Sequence, residues 1–257
     1  MRGLVLSLFP GLDVLGHGFE LEGWCVVRGP DPLFGLGDIR DFSPPAGHIT
    51  GVVGGPPCQD FSQARRSEPT GEGAELVAQA VRVVAAVSPD WFLFENVPRC
   101  PDIRVSGYSY QRLDVCANEF GLPSRRLRHF HFGSRRGVTL ALDRPGTVTV
   151  TQPAALASEG SRGRRRRSWA DFCALQGLPP VELPSLTLGA RYRVVGNAVP
   201  LPIARAFAAA IAACASASCP RRVCICGCGR GVTRRRTLAN AACRKRVSRR
   251  RQIGVLA

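Results

Sequence analysis

The sequence predicts an α/β fold with a mainly parallel sheet that is covered by helices on both faces. Short apolar runs, typical of buried strands, alternate along the chain with stretches of helical periodicity. Strands that alternate with helices in this way usually pair in parallel. The chain has 257 residues, 45% of them hydrophobic, which is enough for one substantial core.

Six apolar runs are predicted strands. They are Gly3–Phe9, Trp24–Val27, Gly51–Val53, Trp91–Phe94, Phe130–Phe132 and Val138–Leu142. Four stretches between or after them are predicted helices. They are Ala74–Val87, Tyr110–Phe120, Trp169–Gln176 and Pro202–Ala217, the last with proline in its first turn.

Two segments interrupt this alternation and set the predicted domain organisation. Residues 143–168 are rich in Thr, Pro, Gly, Ser and Arg, and we interpret them as an irregular insert. A second change in composition falls near 216–220, where a basic, cysteine-rich segment begins. We therefore predict a main domain over residues 1–215 and a small tail over 220–257.

The positive charge is concentrated in the tail. The formal net charge is +16, and residues 221–257 contain 12 basic residues and no acidic one, which leaves 16 − 12 = +4 for the rest. Such a distribution favours a polyanionic partner, above all nucleic acid, since neutralised phosphates release condensed counterions. A solvated, disordered tail would have the same composition, so charge alone leaves both interpretations open.

The cysteines and the hydropathy indicate an intracellular protein. The apolar run at residues 4–9 ends at Pro10-Gly11 without a small-residue cleavage site, and no apolar run is long enough to span a bilayer. The eleven cysteines are therefore expected to be thiols, metal ligands or catalysts rather than disulfides.

The segment Gly54-Gly55-Pro56-Pro57-Cys58 directly follows a predicted strand. In open α/β sheets, ligands bind beyond the carboxyl ends of strands, and here a tight loop presents a thiol at that position. A thiolate is a strong nucleophile once its pKa is lowered. A small buried hydrophobic residue is the alternative interpretation of Cys58.

Three other turns carry polar residues after strands. Glu95 follows Phe92-Leu93-Phe94, where a carboxylate is well placed for acid–base chemistry. The turn Leu8-Phe9-Pro10-Gly11 ends the first strand, the usual place for a nucleoside cofactor. Gly37-Asp38-Ile39 supplies another carboxylate after a later turn.

Taken together and in order, these elements resemble the DNA (cytosine-5)-methyltransferase family. The matching elements are Phe9-Pro10-Gly11, Pro57-Cys58-Gln59, Glu95-Asn96-Val97, Ser124-Arg125-Arg126-Leu127-Arg128 and Gly196-Asn197-Ala198-Val199. The resemblance covers roughly residues 3–212. It implies a Rossmann-like fold dependent on S-adenosylmethionine, and the short, lysine-poor chain suggests a compact phage- or prophage-like member.

The resemblance also implies a mechanism. The target cytosine is flipped out of the duplex, and the Cys58 thiolate attacks ring carbon 6. Glu95 holds or protonates ring nitrogen 3, so that negative charge does not accumulate on the ring. Carbon 5 then takes the methyl group of S-adenosylmethionine, and loss of the carbon 5 proton expels Cys58.

The resemblance assigns further residues by their position in its motifs. Arg126 and Arg128 would steady the flipped base and the DNA backbone. The predicted cofactor contacts are Phe9 on the adenine, Gly11 and Leu12 near the methionine part, Asp31 on the ribose, Asp38 and Ile39 on the adenine, Pro57 in the nucleophile loop, and Asn197 beside the cofactor.

The chain departs from the family pattern at three places. Asp13 stands where the family has the last glycine of FxGxG, and Ser124 replaces the glutamine of QxRxR. Between Arg128 and Ser168 there are only about forty residues, where the family usually has a large recognition region. So short a segment can read few base edges.

The tail contains the cysteines Cys224, Cys226, Cys228 and Cys243 beside arginines. It resembles short bacterial zinc-ribbon tails, which predicts one bound zinc ion. A disordered basic tail without metal remains the alternative.

Two other functions stay open on sequence alone. The same scaffold could methylate cytosine in RNA, because either substrate needs a flipped base and a basic groove. A degenerate, non-enzymatic DNA-binding protein is the other, although Cys58, Glu95, Arg126, Arg128 and Asn197 are intact.

We expect a monomer that acts on double-stranded DNA, with no membrane partner, in the bacterial cytoplasm at the nucleoid. The target sequence is open, as is the choice among restriction–modification, phage self-protection and regulation.

Overall fold

A computed structural model describes residues 2–45, 47–62, 68–216, 222–223 and 231–232. The chain divides into two compact units, residues 1–212 and 213–257. In the second unit the described strands β7 (Arg222–Val223) and β8 (Gly231–Val232) pair antiparallel. The predicted boundary between a domain at 1–215 and a tail at 220–257 stays a prediction.

The first unit contains a six-stranded sheet. Its strands are β1 (Leu4–Leu8), β2 (Cys25–Arg28), β3 (Gly51–Gly54), β4 (Trp91–Asn96), β5 (Gln111–Cys116) and β6 (Leu127–Ser134). Their order is β2-β1-β3-β4-β6-β5. The first four strands pair in parallel, and β6 pairs antiparallel with both β4 and β5. The prediction of an α/β fold with a mainly parallel sheet is confirmed.

The helices of the sheet-containing unit are α1 (Val14–Leu21), α2 (Glu72–Val87), α3 (Trp169–Ala174) and α4 (Leu188–Asn197). A fifth helix, α5 (Leu201–Ser216), runs from this unit into the second one. Helices α2, α3 and α5 were predicted within a few residues. The sequence did not predict α1 and α4.

The core packs against both faces of the sheet. On one face, Val83 and Val84 of α2 belong to one buried cluster with Leu6, Val52 and Phe94 of the sheet. On the other face, Phe130 of β6 packs against Phe207 of α5, with their ring centroids 4.2 Å apart. Burial on both faces explains why the central strands are continuous apolar runs.

The predicted helix at residues 110–120 is wrong. The segment forms β5 and then a 3-10 turn at Ala117–Glu119. Leu113 and Val115 are buried whereas Arg112 and Asp114 are exposed, which is the two-residue period of a strand with one covered face. Pairing with β6 therefore overrides the local helical pattern.

The predicted strand Val138–Leu142 is also wrong. Leu140 is buried, but its backbone amide donates to Gln111 Oε1 at 2.7 Å, and its carbonyl accepts from Gln111 Nε2 at 2.9 Å. One side chain therefore satisfies the backbone groups that a neighbouring strand would otherwise bind.

By length and composition alone, one segment of the described chain could cross a membrane. It covers residues 188–214, which include α4 and most of α5, with a mean hydropathy of 1.5. Of this apolar window, 56% is buried inside the protein, which is typical of core helices.

The insert at residues 143–168 follows an anchored path. Single bridges join Ser124 to Gln152 and Phe120 to Gly146, and residues 159–165 form a 3-10 helix. The Glu159 carboxylate is buried and accepts from Arg167 Nη2 at 3.0 Å. The two bridges therefore attach the first part of the insert to the segment before β6, and the Glu159–Arg167 pair lies within the insert.

Candidate active site

Three strand ends meet at one edge of the sheet. Leu8 at the end of β1 pairs with Gly54 of β3, and Gly54 pairs with Phe94 of β4. Because the three strands are parallel, the loops that follow them leave the sheet on the same side. Together with α4 they enclose a cleft of about 230 Å³.

The predicted nucleophile Cys58 lies at this cleft. The Cys58 side chain is partly exposed, and Cys58 is the N-cap residue of a 3-10 turn at Gln59–Phe61. Asn96 donates from Nδ2 to the Pro56 carbonyl at 3.2 Å, which ties the Cys58 loop to the end of β4. Proline geometry and this hydrogen bond together fix the direction in which the thiol is presented.

Glu95 lies beside the same loop. It is buried, and its Oε1 forms an ion pair with Arg128 Nε at 2.8 Å. A Cβ atom on Gly55 would lie 3.4 Å from Glu95 Oε2, which is van der Waals contact, so the carboxylate lies directly against the Cys58 loop. The structure thus brings together a thiol, an acid and a guanidinium that the sequence placed far apart.

Burial raises the pKa values of both Cys58 and Glu95. Burial raises the pKa of the Cys58 thiol, and the nearby Glu95 carboxylate raises it further. Burial also raises the pKa of Glu95, against the opposing effect of Arg128 and Arg126. A glutamate that retains its proton at higher pH than usual is suited to act as an acid.

Arg126 lies deeper than its neighbour Arg128. It is only 4% exposed, and its two terminal nitrogens donate to backbone carbonyls, Nη1 to Ala155 at 3.0 Å and Nη2 to Ala198 at 3.2 Å. Burial, together with the charge of Arg128, lowers the pKa of Arg126 to about 9. The two arginines, predicted as equivalent, therefore have different surroundings.

The turn after β1 has three residues with left-handed backbones, Phe9, Gly11 and Asp13, with φ of 52°, 53° and 53°. The left-handed backbone at Asp13 is one that glycine adopts readily, which is consistent with the glycine that the family has there. Aspartate tolerates this backbone conformation because its side chain can form local hydrogen bonds. Its Oδ1 accepts from Ser7 Oγ at 2.7 Å and from the Gly16 amide at 3.1 Å. The departure at Asp13 therefore preserves the turn.

Asp31 faces the cleft from the end of β2. Its Oδ2 accepts from the Gly11 amide at 2.7 Å, and its Oδ1 accepts from the Leu33 amide at 2.9 Å. The carboxylate thus ties the turn after β1 to the loop after β2.

Most of the predicted cofactor and catalytic residues line one cleft. Those that do are Phe9, Gly11, Leu12, Asp31, Pro57, Cys58, Glu95 and Asn197. Arg126, Arg128, Asp38 and Ile39 do not. Arg128 reaches the cleft only through its ion pair with Glu95, Asp38 pairs with Arg40 at 2.8 Å, and Ile39 is buried in the core cluster. The contact of Asp38 and Ile39 with the adenine stays a prediction.

The cleft also contains residues that sequence reasoning missed, notably Leu33 and Arg193. Arg193 precedes Asn197 by four residues on α4, and residues at that spacing share a helix face. The spacing could have identified Arg193, had α4 been predicted.

The predicted zinc ligands Cys224, Cys226, Cys228 and Cys243 lie outside the described residues. Within the described ranges, no group of three His, Cys, Asp or Glu side chains is placed to hold a metal ion. Zinc binding by the tail stays a prediction.

Residues 34–158 match the family model of the C-5 cytosine-specific DNA methylases. This match contains the Cys58 loop, the Glu95 strand end and both arginines of the site. The chain is therefore similar to the C-5 cytosine-specific DNA methylases over just under half of its length. Members of this family use S-adenosylmethionine as cofactor, and DNA methyltransferases act on double-stranded DNA.

Several curated proteins to which the chain is similar are bacterial. The chain is 37% identical to the Type II methyltransferase M.HgiDI of Herpetosiphon aurantiacus over 34% of this chain and 31% of the relative. It is 29% identical to M.AquIA of Picosynechococcus over 72% of this chain and 92% of the relative. The chain spans between 31% and 52% of M.HgiDI, M.HgiDII, M.NgoPII and M.DdeI.

Solved structures confirm the fold of the chain. The Dnmt2 methyltransferase of S. pombe superposes with a TM-score of 0.59 at 14% identity, over 82% of this chain and 98% of that one. The predicted Rossmann-like methyltransferase fold is therefore confirmed.

Proposed function

We propose that the chain transfers a methyl group from S-adenosylmethionine to carbon 5 of cytosine in double-stranded DNA, with Cys58 as the covalent nucleophile. One observation carries this proposal: Cys58 and the buried Glu95, which forms an ion pair with Arg128, line the same cleft. A nucleophile beside a positioned acid is the arrangement that covalent attack on an electron-poor ring requires.

Each residue has a defined part in the reaction. The Cys58 thiolate forms a bond to ring carbon 6 while Glu95 gives its proton to ring nitrogen 3, which neutralises the electron pair displaced into the ring. Arg128 orients Glu95 and holds the base. After methylation, carbon 5 loses its proton to a base, the carbon 6–sulfur bond breaks, and nitrogen 3 returns its proton to Glu95.

The cleft fits S-adenosylmethionine, which supplies the methyl group when bound. Phe9 offers an aromatic face for the adenine, and Asp31 offers carboxylate oxygens for the ribose hydroxyls. A Cβ atom on Gly11 would meet no atom within 4 Å, so the turn leaves open space beside the cleft. Arg193 supplies a positive charge for the carboxylate of the methionine part.

Location and assembly follow from the proposed activity. We expect the protein to act as a monomer in the bacterial cytoplasm, where its duplex substrate is found. The basic segment at residues 221–257 is expected to add affinity for the phosphate backbone.

Bisulfite sequencing of DNA from cells that express the chain tests the proposal. We expect new 5-methylcytosine with the wild type and none with Cys58→Ser, although the variant should still bind S-adenosylhomocysteine. Cys25→Ser, which changes an exposed cysteine on β2, is the matched control and should methylate normally.

Purified protein should be assayed on duplex DNA beside transfer RNA. Methylation of RNA alone would replace the proposed substrate. DNA binding without any methyl transfer would indicate a non-enzymatic DNA-binding protein, and undiminished transfer by Cys58→Ser would exclude the covalent role of Cys58.

A further inference from the structure

Arg126 connects three parts of the molecule that are distant in sequence. It lies just before β6, 29 residues from Ala155 in the insert and 72 residues from Ala198 in the turn between α4 and α5. Its guanidinium donates one hydrogen bond to the backbone of each. A planar guanidinium can bind two carbonyls at once, which a single ammonium group cannot do in the same geometry.

The turn that Arg126 holds borders the cofactor cleft. Asn197, Ala198 and Val199 all line the cleft, and the Ala198 carbonyl accepts from both Arg126 Nη2 and Gln176 Nε2, the latter at 3.0 Å. Gln176 also donates to the Val195 carbonyl at 2.8 Å and is fully buried. The turn is therefore fixed by a buried polar network.

The other carbonyl belongs to the insert. Ala155 is buried, and it follows a stretch that pairs with the segment before Arg126: the amides of Thr151 and Gln152 both donate to the Pro123 carbonyl at 3.0 Å. Arg126 therefore links the insert, through Ala155, to the turn that lines the cofactor cleft.

The same geometry limits what else Arg126 can contact. Both terminal nitrogens are engaged, the side chain is 4% exposed, and Nε is buried without a hydrogen-bond partner among the described residues. Arg128, by contrast, points Nε at Glu95 and retains more exposure. Arg128 Nη1 donates to the Leu127 carbonyl at 2.8 Å. Among the terminal nitrogens of the two arginines, Arg128 Nη2 alone therefore has no backbone bond to a described residue and can be offered to a flipped base.

We infer that Arg126 is a positioning residue, which locks the recognition insert to the cofactor-side turn, and that it does not contact the target base. This inference rests on the proposed function for the identity of the substrate. It predicts that Arg126 affects how DNA is held, whereas Arg128 affects the base itself.

Arg126→Lys separates the two roles, because lysine keeps the positive charge near Cys58 and loses the bridge between two carbonyls. We expect the Kd for a duplex with a methylation site mapped by bisulfite sequencing to rise about tenfold, the scale of one charge-assisted hydrogen bond. The kcat at saturating DNA should change by no more than a few fold.

An abasic duplex gives the discriminating readout. If Arg126 acts through the insert, Arg126→Lys should weaken binding to DNA with the target base and to DNA lacking it by the same factor. The matched variant Arg128→Lys should lose affinity only for DNA that has the base. A loss in Arg126→Lys that is confined to DNA with the base would overturn the inference.

Hydrogen exchange tests the attachment without any substrate. The backbone amides of Val148, Thr151 and Gln152 bond the insert to the carbonyls of Asn118 and Pro123. These amides should exchange faster in Arg126→Lys than in the wild type. The same amides in Arg128→Lys should be unchanged. Unchanged exchange in Arg126→Lys would overturn the inference about Arg126. This readout needs no substrate, so a failure of the inference can be told apart from a failure of the proposed methyltransferase function.

Discussion

Between the pKa of Glu95 and the pKa of Cys58, the two groups together carry one proton. This proton can lie on Cys58 or on Glu95, and methyl transfer needs it on Glu95, with Cys58 as the thiolate. Activity should therefore fall at low pH, where both groups are protonated, and at high pH, where neither is. Since burial raises both pKa values, the active range should lie above that of an ordinary Glu and Cys pair.

Glu95→Gln tests this assignment. Glutamine does not titrate, so the decline at high pH should disappear, and kcat/KM should still rise where the wild-type value falls. The variant should be slower by about two orders of magnitude near neutral pH, the usual scale for a positioned acid. A variant with the bell-shaped profile of the wild type would show that another group supplies the proton.

Arg193 should bind the carboxylate of the cofactor. It is exposed in the cleft, and the structure gives it no ion pair with any described residue. We expect Arg193→Gln to weaken the binding of S-adenosylhomocysteine about tenfold, measured by calorimetry, since a charge-assisted hydrogen bond is removed. Binding of 5′-methylthioadenosine, which lacks the carboxylate, should be unchanged.

The control for this charge change is Arg136→Gln, which alters an exposed arginine beside Asp90 at the opposite edge of the sheet. If Arg193→Gln leaves cofactor binding intact and instead weakens DNA binding, the side chain contacts phosphate and the assignment is wrong.

Motifs at strand ends made part of the site predictable from sequence. Cys58 and Glu95 each follow an apolar run, and the parallel pairing of β3 and β4 brings them together. The ion pair of Glu95 with Arg128 was not predictable, because it depends on the antiparallel register of β4 and β6. The different surroundings of Arg126 depend on two backbone carbonyls that no sequence pattern identifies.

Apolar periodicity predicted strands and helices correctly where the tertiary contacts match the local sequence pattern. The central strands are buried on both faces and read as continuous apolar runs. The segment at 111–116 failed because its alternating pattern is short and is completed only by pairing with β6. Helix α4 was missed because only four of its residues, Tyr192, Val194, Val195 and Gly196, are buried.

The short insert should limit the length of the recognised sequence. Arg167 is engaged with the buried Glu159, and Arg166 packs over the ring of Tyr192, so part of the arginine run faces the protein. Few side chains remain to reach base edges in the major groove, and we expect a target of roughly two to four base pairs. Methylation mapping that returned one strict site of six or more base pairs would contradict this expectation.

At the scale of the whole molecule, the basic tail should contribute affinity without specificity. Arginines on phosphates carry no base information, so deleting residues from about 220 onward should weaken DNA binding and leave the target site unchanged. The log–log salt dependence of Kd should flatten by about one unit for each phosphate that the tail no longer neutralises. An unchanged salt slope would show that the tail does not touch DNA.

Zinc in the tail is a separable expectation. Elemental analysis of protein purified without chelator should find about one zinc per chain, and none after the deletion, if the four tail cysteines bind metal. A salt effect that persists without zinc would indicate a plain basic tail.

The central claim is that Cys58 bonds covalently to the cytosine ring, and a trapping experiment tests it most directly. Duplex DNA with 5-fluorocytosine at the mapped site is incubated with the protein and S-adenosylmethionine, and the adduct is located by peptide mass spectrometry. Because fluorine cannot leave as a proton does, the carbon 6–sulfur bond should persist, and we expect a stable complex joined through Cys58. No adduct on DNA that the enzyme otherwise methylates, or an adduct at another residue, would contradict the covalent role of Cys58.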